Sequence, residues 1–180
     1  NGSVKLAKDM VDAAKNSGAD CVKFQSFEAS KLAKQDTPKV AYQKNSADSG
    51  ESHLEMLSRL QLNESEMSEI YSYCKLKDID FISTPYDVQS AKNLFDMGCR
   101  IFKTASADII DLHLHRYLSI NAKKVVISVG MATLGEIEDV LKVYQKSPAE
   151  LILLHCVSNY PCSDDSVNMK VIRTLQSAFG

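Results

Sequence analysis

The sequence predicts an α/β fold, a partial (β/α)8 TIM barrel, on three observations. An amphipathic helix, a short polar break and an apolar strand recur five times in the same order. The strands read as short and apolar on both faces, the pattern of parallel strands covered by helices. Polar residues gather at the C-terminal ends of several strands, where barrel enzymes assemble their sites. A complete barrel typically needs about 250 residues. The 180 residues supply five strands, so the expectation is one domain over 1–180, a catalytic barrel without its first strand and its last two.

The first helix–strand pair runs from KLAKDMVDAAKNSGAD into CVKFQ. Leu6, Met10, Val11 and Ala14 repeat at three-to-four spacing, and Gly18 stands where a left-handed helix end is wanted. Residues 27–62 then break the rhythm, rich in Ser, Lys, Asp and Glu with Pro38 and Gly50, before ESHLEMLSRLQL resumes helical spacing. So long an excursion after a strand is a substrate cover, a subunit contact or a solvated insertion. The second pair, EMSEIYSYCKLKD into IDFIST, opens on Asn63 with Glu66, a capping box. VQSAKNLFDMGC into RIFKTAS is the third, closed by Gly98, and DLHLHRYLSINAK into KVVISVG the fourth. The fifth, EIEDVLKVYQKSPAE into LILLHCV, opens on a second box, Thr133 with Glu136.

Composition narrows the function classes. Hydrophobic residues make up 44%, charged residues 24%, and the net charge is -2, which argues against a disordered tail, a collagenous chain or a disulfide scaffold. With 21 basic against 23 acidic residues, a nucleic-acid partner is not expected. No apolar run approaches the roughly 18 to 20 residues of a membrane span, and the N-terminus is already amphipathic rather than a signal peptide. Five cysteines without a C-x-x-C pair point to a reducing, cytoplasmic setting. Neither G-x-G-x-x-G nor a P-loop follows any strand, so dinucleotide and nucleotide cradles are unsupported.

The strand ends carry the chemistry. In CVKFQ, Cys21, Lys23 and Gln25 share a face; in RIFKTAS, Ile101, Lys103 and Ala105 do. If Phe24 and Phe102 face the helices, both lysines point into the barrel mouth. One such lysine fits a snorkelling structural role, but two at matching positions call for an anion. Ser83 and Thr84 in STP, Ser106, and Ser128 in SVGM add hydroxyls. Singly these end strands or cap helices; as a set with two ammonium groups they suit a small phosphorylated substrate. His113 and His115 lie i, i+2 on a helix and face apart, and His53 sits in the polar excursion. His155 and Cys156 point to opposite strand faces, which disfavours a catalytic pair and leaves His155 as a satisfied core residue. No H-E-x-x-H occurs, and no metal ligand is expected within the chain.

GADCVKFQ, DFISTPYD, FKTASAD, VVISVGMATLGEIE and LLHCVSNYPCSDDSVNMKVI follow one another in an order that resembles the sialic acid synthase family, which includes N-acetylneuraminate, legionaminic and pseudaminic acid synthases. The opening NGS is similar to the tail of the family's N-H-x-G-S segment. The resemblance implies a (β/α)8 barrel followed by a small antifreeze-like domain. It implies condensation of phosphoenolpyruvate with an N-acylated amino sugar, giving a nonulosonic acid and phosphate. By motif, Lys23, Thr84, Lys103, Ser106 and Ser128 match the positions that hold phosphoenolpyruvate. Gln25, Asp108 and Tyr160 match the sugar side, with Ser158 at a further substrate-facing place; Lys23, Lys103 and Asp108 are the catalytic set. The chain departs from the usual G-S-G-E with A-S-A-D, and Val129 and Val157 stand where Thr is frequent. The resemblance further implies manganese or magnesium held by ligands outside this chain, a homodimer, and no turnover by the 180 residues alone. Two other readings remain: a Schiff-base aldolase using Lys103 or Lys23, and a degenerate barrel that binds an anion without catalysis.

Overall fold

Ser3 starts the first helix, its hydroxyl accepting the Leu6 amide, so that α1 runs Val4–Asn16. The computed structural model describes residues 2–35, 37 and 51–180; the middle of the 27–62 excursion, Pro38 and Gly50 included, lies outside the described residues. The chain divides into two compact units, Asn1–Cys99 and Arg100–Gly180.

In the first unit α1 ends at Gly18, whose φ of 81° is the left-handed turn foreseen there. β1 follows at Cys21–Ser26. Within the excursion stand a short α2, Ala29–Leu32, and α3, His53–Leu60. α3 opens on a capping box of Ser52 and Glu55, which the sequence reading passed over. Asn63 and Glu66 form the expected box at the start of α4, Glu64–Leu76. α4 feeds β2, Asp80–Pro85, which pairs parallel with β1 from Cys21 opposite Asp80 to Ser26 opposite Pro85. α5, Val88–Asp96, is capped by Asp87 and turns out through Gly98 at φ 104°. Val11, Ile70, Cys74, Ala91 and Leu94 are fully buried and form the core of this unit.

The second unit repeats the same logic. β3 is Ile101–Thr104, followed by a 3-10 turn over Ser106–Ile110 and by α6, Leu112–Asn121. β4, Lys124–Ser128, pairs parallel with β3 and with β5, Glu150–Leu154. α7, Leu134–Val143, connects them, and α8, Lys170–Phe179, comes last. Phe102, Leu114, Leu118, Val125 and Ile127 have no exposed surface. The box of Thr133 and Glu136 opens α7 as foreseen, with Glu136 also accepting the Thr133 amide at 2.7 Å. Thr133→Ala should therefore lower stability by about 1 kcal/mol, read as a shifted urea midpoint at constant slope.

One reading of the strands needs correction. The strands are not uniformly apolar and covered on both faces: β2 is nearly all buried, whereas β1 and β5 alternate exposed with half-buried residues. Lys23 and Gln25 occupy exposed positions of β1, and Ile152 and Leu154 those of β5. Cys74 and Cys99 are buried, Cys21 is exposed at the start of β1, and Cys162 is exposed in the segment after β5.

Candidate functional site

Alternation along the strands decides which side chains reach the open faces. In the first unit Phe24 stacks on Phe81 at 5.3 Å, and Tyr71 of α4 meets Phe81 edge-on. That face of β1–β2 therefore packs on a helix, as the sequence required of Phe24. Lys23 and Gln25 lie on the other face, beside Ile82 and Thr84 in the parallel register. Gln25 Nε2 donates to the Tyr86 hydroxyl at 2.6 Å. Thr84 is buried, and its hydroxyl has no hydrogen-bond partner among the described residues. A buried unsatisfied hydroxyl is costly, and a ligand oxygen would satisfy it. Ser83 corrects the sequence reading: it alternates to the helix side, with its Oγ 3.0 Å from Ser26 Oγ. It does not join the anion-binding set.

In the second unit Phe102 and Thr104 pair with Val125 and Ile127 on the fully buried face. Lys103 is on the opposite face, aligned with Val126, and Ser128 lies two residues further along β4 on that same face. The 3-10 turn after β3 brings in Ser106, which is buried. Ser106 Oγ accepts the Gly130 amide at 3.1 Å and lies 3.1 Å from Cys156 Sγ. Asp108 folds back within the turn, one carboxylate oxygen accepting the Ala105 amide at 2.8 Å. Burial pushes the Asp108 carboxyl above the ordinary range, with the Ala105 hydrogen bond as the main opposing influence. Burial likewise lowers Lys103 below the ordinary lysine value, against the pull of Cys156 and Asp108. The result is a half-buried ammonium on the strand face of Ser128, within electrostatic reach of Cys156 and Asp108. Ser158 and Tyr160 stand exposed on the segment after β5.

Sequence reasoning missed Gly130 and Cys156. An added Cβ at Gly130 would run into the Cys156 carbonyl oxygen and lie 2.8 Å from its Sγ, so only glycine fits. The signal was present: counted by twos from Leu154, Cys156 lands on the strand face of Ser128, whereas His155 continues that of Leu153. His155 is satisfied by the Val167 carbonyl at 2.6 Å, as foreseen, but it is half-buried rather than a core residue.

His113 is exposed and His115 fully buried, so the two do face apart. His115 Nδ1 lies 3.0 Å from the Tyr144 hydroxyl. Burial lowers its pKa to about 4, opposed by the Asp108 carbonyl and the Asp111 carboxylate. Because the folded value is below the unfolded one, the unfolded chain takes the proton first. Stability is full above about pH 6.5 and is lost as the pH falls toward about 4, by about 3 kcal/mol. Unfolding curves of the protein and of His115→Asn should converge over that window; parallel pH profiles would show otherwise.

Among the described residues no three His, Cys, Asp or Glu side chains gather closely enough to hold a metal ion. These residues alone do not fit the divalent metal that the family resemblance implies. No described helix is long and apolar enough to cross a membrane.

Residues 10–180 match the NeuB family. The chain belongs to the NeuB family. This NeuB-family chain is 39% identical to an N,N'-diacetyllegionaminic acid synthase of Campylobacter jejuni, over 99% of its own length and 54% of that protein's. To the N,N'-diacetyllegionaminic acid synthase of Legionella pneumophila it is 38% identical, over 99% and 52%. Its fold is similar to the crystal structure of a sialic acid synthetase from Leptospira borgpetersenii in complex with citrate. That likeness has a TM-score of 0.82 and 27% identity, covering 99% of this chain and 57% of the other. The chain thus spans about half the length of the curated relatives it matches.

Proposed function

We propose that the full-length protein condenses phosphoenolpyruvate with an N-acylated amino sugar, yielding a sialic-acid-type nonulosonic acid and phosphate. The observation that carries this reading is Lys103, a half-buried ammonium on the open face of β3, with Ser128 on the same face and Ser106 in the turn that follows β3. Lys103 neutralises the phosphate, and the two hydroxyls donate to its oxygens. Lys23 and Thr84 repeat the cation-and-hydroxyl pattern on their own strand pair, and their assignment to the same anion rests on membership of the family. The methylene carbon of phosphoenolpyruvate attacks the open-chain aldehyde, water adds at the enol carbon, and the tetrahedral intermediate expels phosphate. As that C–O bond breaks, charge grows on the leaving group, where Lys103 stabilises it most.

Asp108, Gln25, Ser158 and Tyr160 are assigned to the sugar. Asp108, raised by burial, is suited to hold or pass a proton near the reacting aldehyde. Manganese or magnesium, as the family resemblance implies, would have its ligands outside these residues, and no step above depends on it. The eight-stranded closed barrel, a cytoplasmic location and a homodimer complete the proposal.

The test is a panel of N-acylated and 2,4-diacylated hexosamines offered with phosphoenolpyruvate to the full-length protein. Phosphate released in step with a 2-keto acid is expected from at least one sugar. Borohydride trapping of substrate on Lys103 or Lys23 would replace the proposal with an aldolase. Binding of phosphoenolpyruvate without turnover on any sugar would favour the non-catalytic reading.

A further inference from the structure

The Ser106 hydroxyl is held from two sides by uncharged groups. The Gly130 amide donates to Oγ at 3.1 Å, and Cys156 Sγ stands 3.1 Å away. A serine oxygen has two acceptor lone pairs and one proton to give. With one lone pair taken by Gly130, two arrangements remain. Ser106 either spends its proton on the sulfur, or accepts the thiol proton and keeps its own O–H for a ligand. Only the second serves an anion beside Lys103.

We propose that Cys156 is a positioning residue, whose thiol donates to Ser106 Oγ when the anionic substrate arrives, so that Ser106 is left solely as a donor to a substrate oxygen. The inference rests on the phosphoenolpyruvate reading. Gly130 serves the same end, because the missing Cβ lets the Cys156 backbone approach closely enough for both contacts to reach one oxygen. A thiol suits the place because it can accept in the empty site and donate in the filled one without any change of charge. Cys156 makes no bond to substrate in this account.

The test uses the full-length protein and steady-state kinetics of Cys156→Ala and Cys156→Ser. Cys156→Ala should raise KM for phosphoenolpyruvate about tenfold, the loss of one oriented hydrogen bond. The kcat and the KM for the sugar should stay within about twofold. Cys156→Ser, which can still donate and accept, should recover to within about threefold of the wild type. In the wild type, phosphoenolpyruvate should also slow alkylation of Cys156 by iodoacetamide, followed by peptide mass spectrometry. An unchanged KM in Cys156→Ala, equal impairment of both variants, or alkylation indifferent to phosphoenolpyruvate would each overturn the inference. A wild type that releases no phosphate would instead defeat the reading on which it rests.

Discussion

Lys103→Met in the full-length protein is expected to lower kcat/KM for phosphoenolpyruvate by about a thousandfold, with kcat carrying most of the loss. Methionine keeps the length and apolar stem of the side chain, so the change isolates the charge. An ammonium partly withdrawn from water acts on a departing phosphate more strongly than one in bulk solvent. The same withdrawal gives a pH signature. Burial holds Lys103 below 10.5, so it loses its proton earlier in an alkaline titration than an exposed lysine would. Its folded value is depressed, so the charged form costs stability at neutral pH, and that cost is relieved as the pH rises through the folded value toward 10.5. Affinity for phosphoenolpyruvate should run the other way, falling over the same range as the cation disappears. A KM for phosphoenolpyruvate that stays flat throughout the alkaline range up to pH 10.5 would separate Lys103 from the anion.

Gly130→Ala should damage both stability and activity. The new methyl has no flexible side chain to push aside, because it meets the backbone carbonyl of Cys156 as well as its sulfur. Relieving that overlap requires the β4 and β5 ends to separate, at about 1–3 kcal/mol. The Gly130 amide would move off Ser106 Oγ in the process. Thermal melting should show the destabilisation, and the remaining folded protein should bind phosphoenolpyruvate at least about tenfold more weakly. Wild-type melting with wild-type KM would mean that the close approach at Gly130 has no bearing on Ser106.

What the sequence made legible was mostly local. Helices opened by Asn63 and Thr133 and closed by Gly18 and Gly98 could be placed because each cap depends on residues within one turn. The facing of Lys103 was also legible, since Phe102 and Thr104 alternate against it and Phe102 is too large and apolar for an open face. Ser83 was misjudged because adjacent hydroxyls in STP look alike in composition, whereas alternation sends only Thr84 to the face of Lys23. Ser106 and Cys156 lie 50 residues apart, and their contact depends on a glycine whose role is the absence of an atom. Alternation gives the face of Cys156, but no local pattern announces its contact with Ser106. The exposure of Lys23 and Gln25 on β1 was likewise hidden, because periodicity gives the face of a residue and not what covers it.

The most direct measurement is a crystal structure of the full-length protein soaked with phosphoenolpyruvate. Phosphate oxygens are expected within about 3.2 Å of Lys103 Nζ, Ser106 Oγ and Ser128 Oγ, with no covalent bond to the lysine. Ligand density remote from β3 and β4, or an imine on Lys103 when the sugar is added, would contradict it.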